Sequence, residues 1–124
     1  MTGKRTRNPL AIRGLMVDPA RLVERHEFYF ELIERMARWG FNTLWWHFSD
    51  DQGFALKLDR HPELATPYAF TKAKMRRLIR RADELGIDVV PEVESLGHAR
   101  YLPRLPRYSH LADGGKLGFN AMCP

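Results

Sequence analysis

The segment 41–53 constrains the fold of this chain more than any other stretch. Its first part, 41–49, is rich in aromatic, aliphatic and β-branched side chains and lacks helical spacing, which predicts a β-strand. Two carboxylates, an amide and a glycine follow directly, at Asp50, Asp51, Gln52 and Gly53. Because ligands of α/β proteins bind at the carboxyl ends of parallel strands, this order is typical of an active site. An ordinary strand followed by a polar turn is the alternative.

Strands and helices alternate along the rest of the chain. The further elements are predicted as strands at 10–18 and 87–94 and as helices at 24–39 and 72–85. Thr71 is suited to cap the second helix, and Gly40 and Gly86 follow the two helices where a left-handed residue is favoured. The segment 54–70, which contains prolines, and the tail 101–124, which has no clear period, are predicted as long irregular connections.

This βαβαβ order implies an α/β fold with parallel strands and right-handed crossovers. In the third strand Glu92 and Glu94 share one face, because side chains alternate along a strand. Two such carboxylates suit the inside of a barrel near its mouth, and they would be unfavourable in the core of a doubly wound sheet. Of the neighbours Trp45 and Trp46, at least one is expected in the core.

Composition narrows the class of protein. The 124 residues, 44% hydrophobic and 28% charged, are those of one globular domain, and no apolar run approaches the roughly 18 residues of a membrane span. The net charge of +5 points toward nucleic acid, but the basic residues at 72–81 surround an apolar stripe without interleaved aromatics, so no nucleic-acid binding is expected. The basic segment 1–9 is no signal peptide and Cys123 is a single cysteine, so the chain is expected to be cytoplasmic.

Several residues near the strand ends also have structural interpretations. Arg21 is also compatible with a salt-bridged surface arginine, and His47 and His98 with hydrogen-bonded structural histidines. A zinc or manganese site built from His47, Asp50, Glu92 and His98 is a further interpretation, although no ligand pair has diagnostic spacing.

Three stretches together resemble the first part of the catalytic domain of family 20 glycoside hydrolases, the β-N-acetylhexosaminidases. They are 13–18 with Arg21, 46–53, and 86–99. Their order and spacing fit the family from about Ile12 onward. The resemblance implies a (β/α)8 TIM barrel, a fold that takes about 250 residues. Residues 10–124 would form its N-terminal portion, with about three strands and two helices, and 1–9 a basic N-terminal extension.

The family resemblance also implies a reaction. Such enzymes remove terminal non-reducing N-acetylhexosamine residues from glycans with retention, and the substrate's own 2-acetamido oxygen attacks the anomeric carbon. A glutamic acid protonates the leaving oxygen, and the aspartate before it orients the acetamido group. Both belong to a His-x-Gly-Gly-Asp-Glu sequence on the fourth strand, which does not occur in this chain. The chain is therefore expected to be a fragment that is inactive alone, with no metal or other cofactor.

The same resemblance assigns roles to five residues. Arg21 would bind hydroxyls of the terminal N-acetylhexosamine, since its planar fork of donors suits neighbouring sugar oxygens. Asp51 and Glu94 would also bind substrate. His98, paired with Asp50, would hydrogen-bond toward the absent glutamic acid and help set its protonation, as a catalytic pair. Family members commonly have Asp at the position of Glu94, and the extra methylene of the glutamate affects where His98 can lie.

Two other functions remain compatible with the residues. A partial barrel could serve as a non-catalytic sugar-binding or assembly module. Because its last strand would have an unpaired edge and its apolar faces would be uncovered, it would tend to dimerise or aggregate, and a clean monomer would support a stand-alone module. A metal-dependent hydrolase on a similar barrel is the second alternative.

Overall fold

The computed structural model describes residues 10–115 and 121–122. The predicted extension 1–9 and Cys123 lie outside this part of the chain. Its helices and strands follow in the order β1 (Gly14–Val17), α1 (His26–Arg38), β2 (Thr43–His47), β3 (Ser49–Asp50), β4 (Gly53–Leu56), β5 (Ala65–Phe70), α2 (Lys72–Glu84) and β6 (Asp88–Glu92). Short 3-10 helices lie at Pro62–Leu64, Pro106–Leu111 and Asp113–Gly115. Neither α-helix of these residues is long and apolar enough to cross a bilayer.

The main sheet consists of three parallel strands in the order β1-β2-β6. On one face, Leu44 and Trp46 of β2 are fully buried and pack with residues of both helices, including Ile33 and Leu78. Apolar residues three and four positions apart give each helix one face to bury on this side. The predicted βαβαβ order and both helices are confirmed.

The opposite face of the main sheet is exposed at its centre, between the buried Thr43 and His47 of β2. Met16, Trp45 and Val90 stand side by side on it, in register across the three strands. Met16 and Trp45 are 52% and 44% exposed. The two neighbouring tryptophans therefore point to opposite sides, and Trp46 is the one in the core, as alternation along a strand requires.

A second, smaller sheet corrects the prediction of an irregular connection at 54–70. β4 pairs antiparallel with β3 and parallel with β5. Pro67 argues against a continuous helix, and it fits the observed strand because β5 is an edge strand, where a residue without an N–H is tolerated. The register also shifts between the pairs Phe54–Ala65 and Leu56–Phe70, so the pairing is irregular where the proline lies.

Local signals at the helix ends are confirmed. The Thr71 hydroxyl accepts a hydrogen bond from the backbone N–H of Lys74 at 3.2 Å, which satisfies one free donor of the first turn of α2. Gly40 and Gly86 have φ angles of 80° and 70°, in the left-handed region that closes helices. These turns lead from the two helices directly into β2 and β6.

Candidate functional site

A hollow of about 700 Å³ lies at the carboxyl ends of the main strands. We call it the strand-end hollow. Its lining residues come from the segments after β1, β2 and β6 and are Arg21, Asp50, Asp51, Gln52, His98, Arg100 and Arg104. Because parallel strands end at one edge of a sheet, residues far apart in sequence meet here. Four of the five residues singled out from the sequence are brought together, and Glu94 is the exception.

Asp50 is the buried anchor of the hollow. It is 2% exposed, and its Oδ2 lies 2.5 Å from Arg21 Nη2. Its Oδ1 accepts a hydrogen bond from the backbone N–H of Gln52 at 3.3 Å. Burial by itself raises the pKa of Asp50, but the hydrogen bond from Arg21, the backbone N–H groups of Asp51 and Gln52 and the charge of Arg21 outweigh it. The pKa of Asp50 is therefore below its usual value, and the group is an anion at neutral pH.

Arg21 joins two strand ends. Its Nη1 donates to Asp18 Oδ2 at 3.0 Å and its backbone N–H to Asp18 Oδ1 at 3.0 Å, while Nη2 lies against Asp50. The hydrogen bond to Asp50 and both neighbouring carboxylates raise the pKa of Arg21 above its ordinary value, against a smaller lowering from burial. The side chain is still 42% exposed, so part of its donor fork faces solvent in the hollow. The salt-bridged interpretation of Arg21 is confirmed, and it is compatible with a ligand contact.

His98 stands over the two carboxylates. Its Nδ1 lies 3.6 Å from Asp50 Oδ2, 3.6 Å from Asp51 Oδ2 and 3.3 Å from Arg21 Nη2. A guanidinium only donates, so the contact with Arg21 requires an unprotonated Nδ1 and places the proton of a neutral ring on Nε2. Asp50 and His98 are thus neighbours, at a distance longer than a hydrogen bond. His98 has a φ of 47°, a left-handed conformation that histidine adopts more often than most residues.

Asp51 fixes the loop that carries His98. Its Oδ1 accepts a hydrogen bond from the backbone N–H of Arg100 at 3.0 Å, which ties the turn after β3 to the segment after β6. One oxygen of the Asp51 carboxylate therefore accepts a backbone hydrogen bond, and the other lies near His98.

Glu94 lies in a second cluster, next to the hollow, with His47 and Glu92. We call these three residues the His47 cluster; their ligand atoms all lie within 4.8 Å of one another. The backbone N–H of Glu94 donates to Ser49 Oγ at 2.8 Å, and Trp45 Nε1 donates to Glu92 Oε2. The alternative interpretation of one metal set uniting His47, Asp50, Glu92 and His98 does not fit the structure. In the described part of the chain, His47 and Glu92 fall in one possible ligand group, and Asp50 and His98 in another. Side-chain alternation placed Glu92 and Glu94 on one face correctly, but it could not place Asp50 relative to them.

Some residues of the site were not identified from the sequence. Asp18 was not recognised as the partner of Arg21, although their i, i+3 spacing after a strand was a usable signal. Arg100 and Arg104 line the hollow from the tail, which was identified only as a long connection. No local sequence signal identifies these two arginines as site residues, because their position depends on how the tail folds back over the strand ends.

Comparison with known proteins gives a consistent result. The family model of the catalytic domain of glycosyl hydrolase family 20 matches residues 11–109. A β-hexosaminidase of Vibrio furnissii is 31% identical over 110 residues, which cover 71% of this chain and 18% of that protein. The chain therefore spans less than a fifth of that curated relative.

Solved structures match the fold as well. The β-N-acetylhexosaminidase of Streptomyces coelicolor A3(2) superposes with a TM-score of 0.77 and 31% identity, over 91% of this chain and 26% of that one. The exo β-N-acetylglucosaminidase of Vibrio harveyi, solved in complex with N-acetylglucosamine, gives a TM-score of 0.67 and 28% identity, over 73% of this chain and 18% of that one.

Proposed function

The chain belongs to glycosyl hydrolase family 20, and on that premise we propose that residues 10–124 form the N-terminal portion of a (β/α)8 catalytic barrel. Two features support this assignment. Both helices cover the same face of three parallel strands, as in the outer layer of a barrel. The open face with Met16 and Trp45 would then be the barrel interior, covered by strands from further along the protein.

The proposed reaction is the release of terminal non-reducing N-acetylhexosamine from glycans with retention of configuration. The 2-acetamido oxygen of the substrate would attack the anomeric carbon, while a glutamic acid protonates the leaving oxygen. That glutamic acid and its aspartate partner would lie on a later strand of the barrel, beyond β6. The names of the relatives and the N-acetylglucosamine complex of the Vibrio harveyi enzyme support this substrate class.

One observation carries the proposal, namely that Arg21, Asp50 and His98 line one hollow. Arg21 would bind sugar hydroxyls with the solvent-facing part of its fork, while Asp18 and Asp50 hold the rest of it in place. Asp51 would bind the substrate at the rim of the strand-end hollow. Glu94, in the neighbouring cluster, would reach the substrate only from the side of the barrel interior.

Asp50 and His98 would act together on the proton donor. With Nδ1 on the side of Arg21 and Asp50, the exposed ring would present its Nε2–H donor toward a carboxyl group entering the hollow. In that position His98 would hold and tune the acid, and Asp50 would fix the orientation of the ring.

The test is hydrolysis of an aryl N-acetyl-β-glucosaminide. The 124-residue chain alone is compared with the protein of the full reading frame that contains it. We expect no turnover from the chain alone, turnover from the full protein, and loss of kcat in the full protein on Asp50→Asn. An inactive full protein would refute the activity, and substantial turnover by the chain alone would refute the assignment of the proton donor to a later strand.

A sugar-binding or assembly module is the second candidate. The strand-end hollow favours it, because described residues of this chain alone line that hollow. The open face and the edges of β1 and β6, which no described strand pairs, would instead tend to associate if the chain is part of a larger barrel. Sedimentation equilibrium and urea unfolding separate the two: a monomer with cooperative unfolding supports a stand-alone module, and self-association supports a portion of a larger barrel.

A further inference from the structure

His47 is buried without the partners that a histidine normally has. Its side chain is 3% exposed, and neither Nδ1 nor Nε2 has a hydrogen-bond partner among the described residues. A neutral imidazole carries one donor and one acceptor, and buried polar groups in folded proteins are nearly always satisfied. The strand-end hollow does not use His47, so its two nitrogens need another explanation.

Two carboxylates face this imidazole. Glu92 stands opposite His47 in the register of β2 and β6, and its Oε2 lies 3.4 Å from His47 Nδ1. Glu94 completes the His47 cluster, in which all ligand atoms lie within 4.8 Å of one another. In the described part of the chain neither carboxylate is paired with a lysine or an arginine, so a neutral His47 leaves the cluster with a net negative charge.

The distance of 3.4 Å fits metal ligands better than a hydrogen bond. Tetrahedral zinc with bonds of about 2.0–2.1 Å to nitrogen and oxygen places its ligand atoms about 3.3–3.4 Å apart. A dication would also neutralise the two carboxylates. Imidazole with carboxylates suits zinc better than calcium, which prefers oxygen ligands alone.

We propose that the His47 cluster binds one divalent transition-metal ion of the zinc class, with His47, Glu92 and Glu94 as ligands. Both glutamates are half-buried, which leaves a water molecule access to a fourth position. Trp45 Nε1 donates to Glu92 Oε2 and would hold that ligand in place from outside the coordination sphere. The metal site does not depend on the proposed glycosidase function, because its test measures bound zinc and not turnover, and only Glu94 is shared with the proposed substrate-binding residues.

The test is equilibrium dialysis of the EDTA-treated 124-residue chain against zinc chloride, with bound zinc measured by mass spectrometry. We expect one zinc ion per chain, and no retention of calcium. Glu94→Gln removes a ligand without changing its size, and Trp45→Phe removes the supporting donor; each should weaken zinc binding by about tenfold or more. Circular dichroism establishes whether each variant is folded. If Glu94→Gln does not fold, zinc binding by Trp45→Phe tests the proposal instead.

Glu63 provides the matched control. It is a glutamate beside a histidine, with Oε1 3.8 Å from His61 Nδ1, but without a second carboxylate in the group. Zinc binding should be unchanged in Glu63→Gln. The proposal is overturned if the wild-type chain retains no zinc, or if Glu94→Gln retains it while Asp50→Asn loses it, which would place the ion at Asp50, Asp51 and His98.

Discussion

Replacing Arg21 by methionine removes the charged partner of a buried carboxylate and keeps a side chain of similar length. Asp50 is 2% exposed, and its Oδ2 would lose the guanidinium that lies 2.5 Å away. Breaking a buried pair costs about 3–5 kcal/mol, but Arg21 is itself 42% exposed, so water can enter and replace part of the interaction. We therefore expect a loss of about 2 kcal/mol in the free energy of unfolding at pH 7, near the value of a hydrogen bond to a charged group.

The loss should depend on pH. The pKa of Asp50 is lower in the folded chain, because the bonds from Arg21 and from two backbone N–H groups outweigh its burial. A group with a depressed folded pKa contributes stability above its unfolded pKa, about 3.9 for aspartate, and this contribution is lost as the pH falls through the folded pKa. The difference in the free energy of unfolding between wild type and Arg21→Met should therefore have its full value at pH 7 and become smaller below about pH 4.

Urea denaturation at pH 7 and pH 3 measures both effects. Arg81→Met is the control, because Arg81 also binds two carboxylates, Glu34 at 2.6 Å and Glu84 at 2.8 Å, but all three side chains are exposed. Its effect should be clearly smaller than that of Arg21→Met. Equal effects of the two substitutions at pH 7, or a loss from Arg21→Met that is the same at both pH values, would refute the reasoning.

Three further substitutions test local features by the same urea measurement. Thr71→Ala removes the cap of α2 and should cost about 1 kcal/mol, whereas an unchanged midpoint would show that Lys74 N–H has another acceptor. Gly86→Ala forces a side chain into a φ of 70° and should cost about 1 kcal/mol or more, with Gly97→Ala, which has open space and no positive φ, as a neutral control. Ser49→Ala leaves the N–H of Glu94 without its acceptor and should cost about 1–2 kcal/mol, and a neutral result would mean that water replaces the hydroxyl.

The main sheet and both helices could be predicted because their signals are local. Apolar spacing, Thr71 as a cap, and Gly40 and Gly86 at the helix ends are all read within a few residues, and the structure confirms each. The second sheet could not be predicted in this way. β5 pairs with β4 across an irregular register that includes Pro67, and this pairing depends on the packed neighbours, not on the composition of the segment.

The site was predictable to the extent that topology determines it. Parallel strands end at one edge, so the residues after β1, β2 and β6 had to meet, and Arg21, Asp50 and His98 do so. Finer geometry follows from tertiary contacts. The position of Glu94 beside His47 and the approach of Arg100 depend on where the chain turns after β6. The hydrogen bond from Trp45 to Glu92 depends on the side-chain conformations of two neighbouring strands.

The most direct test of the central claim, that the strand-end hollow holds an amino-sugar, is a titration of the ¹⁵N-labelled chain with N-acetylglucosamine followed by NMR. We expect saturable shifts of the amide signals of Asp51, Gln52, His98 and Arg100, which line the hollow, and much weaker shifts in Arg21→Lys, which keeps the charge but loses the planar fork. No saturable shift at these amides, or the same shifts in Arg21→Lys, would contradict the account.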